Sequence, residues 1–200
     1  MEGAHGGNAA VEAVAVLDRP EARGFWNVAW PLAMLAIIAA VIVQSCVPEA
    51  VAPPKFDASA ATRAANEKAL AALTAAGPDA SLADIVPRLN LMVINFASGS
   101  ATVPADAAPV LKQAARVIAA LPAKSEILIV GHTDNVGSAE LNAALSLQRA
   151  EAVRAALLAD GVAQEQLKVA GAGDSRPIAT NATEQGRFAN RRIEFGDGAR

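Results

Sequence analysis

One cysteine, two histidines and no tyrosine occur among the 200 residues. A lone cysteine excludes an intrachain disulfide framework and a cysteine-based metal centre. Two histidines, one of them (His5) in a glycine-rich start, leave little for zinc or for a histidine-based triad. Aromatic residues make up 4%, too few to stack on bases or sugar rings in number. The net charge of -3 shows no basic excess to neutralise phosphates, so nucleic acid is not an expected partner. Charged residues reach only 18% against 53% apolar, too few charges for a coiled coil and too much apolar surface for a disordered chain. The length suits one domain with an appendage.

The apolar residues are concentrated near the start. After a tail over residues 1–24, the stretch 25–46 reads as a transmembrane helix or anchor, because Asn27 is the only polar residue from Phe25 to Val43. Trp26 and Trp30 sit at one end, where amphipathic rings favour the interface. Arg19 and Arg23 precede the span and only Lys55 follows closely, which places the N-terminus in the cytoplasm and everything after Pro48 outside it. A second reading stays open. Val43-Gln44-Ser45-Cys46 loosely resembles a bacterial lipobox, which makes Cys46 a candidate lipidation site and the chain an outer-membrane lipoprotein. In either reading the lipid bilayer is a partner. The span carries no ionisable residue, so it is a tether rather than a transport path.

Residues 47–57 hold three prolines and form an extended linker. The Ala-rich segment 58–88 predicts a helix over 58–77, stopped by Gly77-Pro78, and a short one from Ser81 to near Pro87. With mostly alanine to bury, the first is expected as a spacer or a partner-facing stalk. The domain proper is expected at 89–196, with a tail at 197–200. Strands are predicted at 91–98, 126–133, 167–173 and 191–195, and helices at 105–120 and 139–159, with a polar loop after 173. This gives an α+β fold, a β-α-β-α-β-β mixed sheet with helices on one side.

Chemistry concentrates in residues 131–153. Thr133, Asp134 and Asn135 occupy a strand-to-helix turn, and Asn142, Ser146 and Arg149 recur four and three apart on the helix, within about 60° of one another. Leu141, Leu145, Ala152 and Ala156 are expected to form the core stripe beside them. A carboxylate and a guanidinium at one sheet end suit a zwitterion, the first taking an ammonium and the second forking onto a carboxylate. The same Asp could instead serve the turn, or pair with Arg149 structurally. Asp134 with Glu140 is a conceivable carboxylate pair for glycan cleavage, but Glu140 at the second helical position is explained by the helix dipole. His132 has no Ser or Cys partner, and Gly171-Ala172-Gly173 is no dinucleotide fingerprint because Arg176 occupies the third glycine position. No cofactor is implied. Arg191 and Arg192 open the last strand on opposite faces, one for a structural ion pair and one for the pocket edge or solvent.

The pieces Gly131-His132-Thr133-Asp134-Asn135, Gly137, Asn142, Leu145-Ser146, Arg149-Ala150 and Val153 resemble the OmpA-like C-terminal domain family. So do Gly173, Asn181-Ala182-Thr183, Gly186-Arg187 and Asn190-Arg191-Arg192, and Phe96 with Ser98-Gly99-Ser100-Ala101 fits the family's first strand and loop. The resemblance implies non-covalent binding of peptidoglycan through the diaminopimelate group of its stem peptide. It puts the family's key acidic residue on Asp134, its key basic residue on Arg149 and its pocket amide on Asn142. Thr133 and the loop Ser98 to Thr102, including Ala101, fall where the family contacts ligand. The chain is then a non-enzymatic tether between a membrane and the cell wall. A scaffold for other envelope proteins and a cell-wall hydrolase are the alternatives.

Overall fold

The computed structural model describes residues 55–199. The predicted tail, the span at 25–46, Cys46 and all but the end of the linker lie outside them. Residues 54–200 group as one compact unit. Among the described residues no helix is long and apolar enough to cross a membrane.

Helix α1, Ala58–Thr74, starts where the Asp57 carboxylate accepts from the Ser59 and Ala60 amides. Helix α2, Leu82–Leu89, starts on a reciprocal capping box between Ser81 and Asp84 and runs two residues past Pro87. Helix α3, Ala108–Ala119, follows a 3-10 turn at Ala105–Ala107 and buries Val110, Leu111, Ala114, Ala115 and Ile118. Strand β1, Ile127–Gly131, leads to helix α4, Ala139–Ala159, and a 3-10 turn at Gln164–Gln166 leads into strand β2, Leu167–Gly171. Helix α5, Glu184–Asn190, and strand β3, Ile193–Asp197, complete the domain.

The three-stranded sheet has the order β2-β1-β3. β1 runs parallel to β2, with Ile127 opposite Leu167, and antiparallel to β3, with Ile129 opposite Phe195. Alternation puts Ile127, Ile129, Gly131, Leu167, Ile193 and Phe195 on one face. Their apolar members belong to one core cluster with residues of α1 to α4, so the helices cover that face. The other face carries Lys168, paired with Glu126, and His132 beside Glu194.

Four expectations need correction. Residues 91–98 form no strand. Met92, Ile94 and Phe96 are buried at alternate positions, as the pattern required. Yet the β3 edge is occupied by the side chain of Asn90, which donates to the Phe195 carbonyl (2.9 Å) and accepts from the Phe195 amide (2.7 Å). The Asn66 amide engages Val93 N and O in the same way. A side-chain amide has the donor and acceptor of a peptide group, so it substitutes for a ladder. Secondly, α1 is no free stalk: Ala69 and Leu73 are fully buried in the core and Thr62 is buried as well. Thirdly, the stretch read as a polar loop contains α5, capped by Thr183. The last strand also runs to Asp197, and Gly198 donates to the Glu126 carbonyl, so the expected tail begins inside the sheet.

His132 is enclosed on the uncovered face, its Nε2 3.1 Å from the Glu194 carboxylate. Burial, with the Arg192 and Arg176 guanidiniums, holds its pKa below the ordinary 6.5 against the opposing pull of Glu194. The folded chain therefore favours neutral imidazole. Its stabilisation is complete above the unfolded value and is lost as pH falls through the folded one. Urea midpoints should decline from pH 7 to pH 5, and His132→Gln should flatten that decline.

Candidate functional site

The sheet's C-terminal end is shaped by close approach. A Cβ on Gly131 would lie 1.9 Å from the Ser146 carbonyl oxygen, and one on Gly171 would lie 2.7 Å from the Leu147 nitrogen. Glycine at both positions lets the first half of α4 rest directly on the strands. The Ser146 hydroxyl then donates to the Ala143 carbonyl (2.8 Å) and accepts from the Gly173 amide (2.9 Å), fastening helix to loop. Thr133 N donates to the Gly173 carbonyl (2.9 Å), so Asp134 leaves the sheet from a fixed point.

The buried face of α4 is Asn142, Ser146, Arg149, Ala150, Val153 and Leu157. The expected core stripe is displaced: Leu141 is 68% exposed, and Leu145, Ala152 and Ala156 are only partly buried. Where glycines bring backbone against backbone, no room remains for a leucine, and small or hydrogen-bonding side chains take the contact instead.

A cleft of about 650 Å³ opens beside this contact. Asp134, Arg149, Asn142, Thr133 and Ser98 all line it, with Arg187 and Arg191. Ala101 and Thr102 do not. Thr102 is exposed, and its amide donates to the Ser100 hydroxyl within the loop. Glu140 is also absent from the lining, and its carboxyl is held below the usual range by hydrogen bonds from its own backbone and from Ser138.

Arg149 is 2% exposed. Its Nε donates to the Ser100 carbonyl (2.9 Å) and its Nη2 to the Ala97 carbonyl (3.2 Å), and the guanidinium lies 5.0 Å from the Phe96 ring centroid. Burial, then the Arg191 charge, pull its pKa below the ordinary guanidinium value, while Asp134 opposes them. A guanidinium stays charged under such a shift. Asp134 is bound on both oxygens, Oδ1 accepting from the Val136 amide (3.2 Å) and Oδ2 from Arg191 Nη1 (2.7 Å). Asn142 Nδ2 reaches the Asp134 carbonyl (3.3 Å), so this amide holds the turn. Thr133 is buried, and among the described residues its Oγ1 has no hydrogen-bond partner.

The two principal charges thus face one cleft without pairing with each other. The Asp134 partner is Arg191, 57 positions away. Alternation had separated Arg191 from Arg192, and Arg192 indeed goes to Glu194 on the other face. The role of Arg187 went unread. It sits one helical turn before Arg191, and only recognition of α5, from Thr183 as cap and Glu184 in the first turn, would have put both on one face. Among the described residues no cluster of His, Cys, Asp and Glu could hold a metal ion.

Residues 95–191 match the OmpA family model. The "Probable lipoprotein YiaD" of Escherichia coli (strain K12) is 39% identical over 102 residues, which cover 51% of this chain and 46% of that one. The "Peptidoglycan-binding protein ArfA" of Mycobacterium tuberculosis (strain ATCC 25618 / H37Rv) is 40% identical over 122 residues, 60% of this chain and 37% of that one. The match therefore spans less than half the length of either curated relative. The solved structure of the peptidoglycan-associated lipoprotein from Burkholderia pseudomallei is 34% identical, with 51% of this chain and 86% of that one covered and a TM-score of 0.49. Residues 95–191 are an OmpA family domain.

Proposed function

We propose that the domain binds peptidoglycan non-covalently through the amino acid head of diaminopimelate in the stem peptide. The observation that carries this reading is the placement of Asp134 and Arg149 on one open cleft with neither spent on the other. A carboxylate oxygen accepts more than one hydrogen bond, so Asp134 takes an ammonium while keeping Arg191 and the Val136 amide. Arg149 uses Nε and Nη2 on the loop and offers Nη1 to the head's carboxylate. The unpartnered Thr133 hydroxyl is a further donor or acceptor at the cleft wall. Ser98 contributes beside it, and Asn142 acts by fixing the turn. Relatives named for peptidoglycan association support the same ligand class.

In this reading the module is a binder rather than an enzyme. The apolar segment 25–46 anchors it, either as a retained span or through acylated Cys46, and other envelope proteins are additional partners. The test is co-sedimentation of the full-length chain, in detergent, with diaminopimelate-type sacculi. Asp134→Asn keeps the side chain's shape and removes its charge. We expect it to weaken binding about thirtyfold or more, since truncating one member of a desolvated charge contact costs ~2–5 kcal/mol. Equal sedimentation of the two proteins would remove Asp134 from the site. Release of soluble fragments from the sacculi would instead point to hydrolysis.

A further inference from the structure

The charge inventory of the cleft does not match a simple zwitterion. Its ionisable lining consists of three guanidiniums, Arg149, Arg187 and Arg191, and one carboxylate, Asp134. An amino acid head carries no net charge, so its entry would leave the cation excess as it stands. Arg191 is already engaged with Asp134 at 2.7 Å. Arg187 has no carboxylate partner among the described residues, and its one hydrogen bond to the protein runs from Nη1 to the Asn181 carbonyl (3.0 Å).

Arg187 and Arg191 are also held in place. They lie four residues apart at the C-terminal turn of α5, where the helix dipole favours cations. Asn190, fully buried between them, donates to the Ala179 carbonyl and to Asn181 Oδ1 and accepts from the Ile178 and Ala179 amides. That fixes the carbonyl on which Arg187 rests. A Cβ on Gly186 would lie 1.9 Å from the Thr180 carbonyl oxygen, so the same loop is clamped from a second side. Two guanidiniums prepositioned on a cleft wall, one without an anionic partner, form a carboxylate receptor.

We propose that Arg187 and Arg191 form a second anion subsite, so that the cleft takes a ligand bearing a carboxylate in addition to its amino acid head. The inference rests on the peptidoglycan reading above and extends it to the amidation state of the stem peptide. Peptides whose carboxyl groups outside the head are free fit the subsite. Peptides in which those groups are carboxamides leave Arg187 without its counterion.

The test is calorimetric titration of the full-length chain in detergent with two probes. One is L-alanyl-γ-D-glutamyl-meso-diaminopimelate with both carboxyl groups outside the head free. The other is the same peptide with both converted to carboxamides. The acid should bind about tenfold more tightly, and the preference should shrink as salt rises. In Arg187→Gln the preference should fall to about twofold or less. Arg187→Lys, which keeps the charge and loses the fork, should retain an intermediate preference. Equal binding of both probes by the unaltered chain overturns the subsite and leaves the diaminopimelate reading standing. A preference that persists in Arg187→Gln removes Arg187 from it. Failure of both probes to bind overturns the parent reading together with this one.

Discussion

Arg149→Ala is expected to cut peptidoglycan binding about thirtyfold or more and to lower the stability of the fold by about 2 kcal/mol. The binding loss follows from removing one charged contact in an enclosed site, ~2–5 kcal/mol. The stability loss has a separate origin. The guanidinium holds the Ala97 and Ser100 carbonyls and covers Phe96, so its removal frees the 97–100 loop and leaves a space under it. Hydrogen bonds from a charged donor contribute ~1.5–3 kcal/mol each. Water at the exposed Ala97 returns part of that, which sets the lower figure. Sedimentation with sacculi and a urea midpoint measured on the same preparation check both halves. Loss of binding with no change in midpoint would mean that the loop does not depend on Arg149. Arg149→Lys keeps charge without the fork and should recover little of either, because one ammonium cannot reproduce the guanidinium's planar reach to both carbonyls.

Gly131→Ala should be among the most damaging single-methyl changes in the domain. The added Cβ would overlap the Ser146 carbonyl oxygen at 1.9 Å and its carbon at 2.7 Å. Both are backbone atoms in the middle of α4, so no side-chain rotation relieves the clash. Overpacking a tight interior costs ~1–3 kcal/mol, and a displaced helix belongs at or above the top of that range. The effect on binding should exceed what destabilisation alone predicts, because moving α4 separates Ser146 from Gly173 and Asn142 from the Asp134 turn. Gly77→Ala serves as the comparison, since a Cβ there meets nothing within 4 Å. Urea denaturation of the two variants should differ by about 3 kcal/mol. Similar midpoints would show that the helix can lift off the sheet freely.

What could be read from sequence was what local chemistry dictates. The bounds of α4 followed from Ser138, whose hydroxyl accepts from Leu141 N, and from Gly161 at a φ of 97° beyond its end. Turn and helix spacing put Asp134 and Arg149 on one side of a strand-helix unit but left a structural role open, and only the resemblance to the OmpA-like family implied a ligand between them. Strand 91–98 was misread because a period of two reports burial, and the pairing was decided by two asparagine amides, Asn90 just before the segment and the distant Asn66. The stripe on α4 was misread because the helix touches glycine rather than side chains at its start, a fact held in β1 and β2 and not in the helix. The Asp134 partner was invisible for a similar reason, since nothing local connects positions 134 and 191. Arg187 was missed with the seven-residue helix that carries it.

The Asn90 amide has a consequence for crowding. The rim of a sheet is a template on which a strand from another copy can extend the ladder. On β3 the peptide groups of Phe195 are already occupied, donor and acceptor alike, so a neighbour finds no register to nucleate there. Crowded copies are thereby hindered from zippering together at that position by a single side chain.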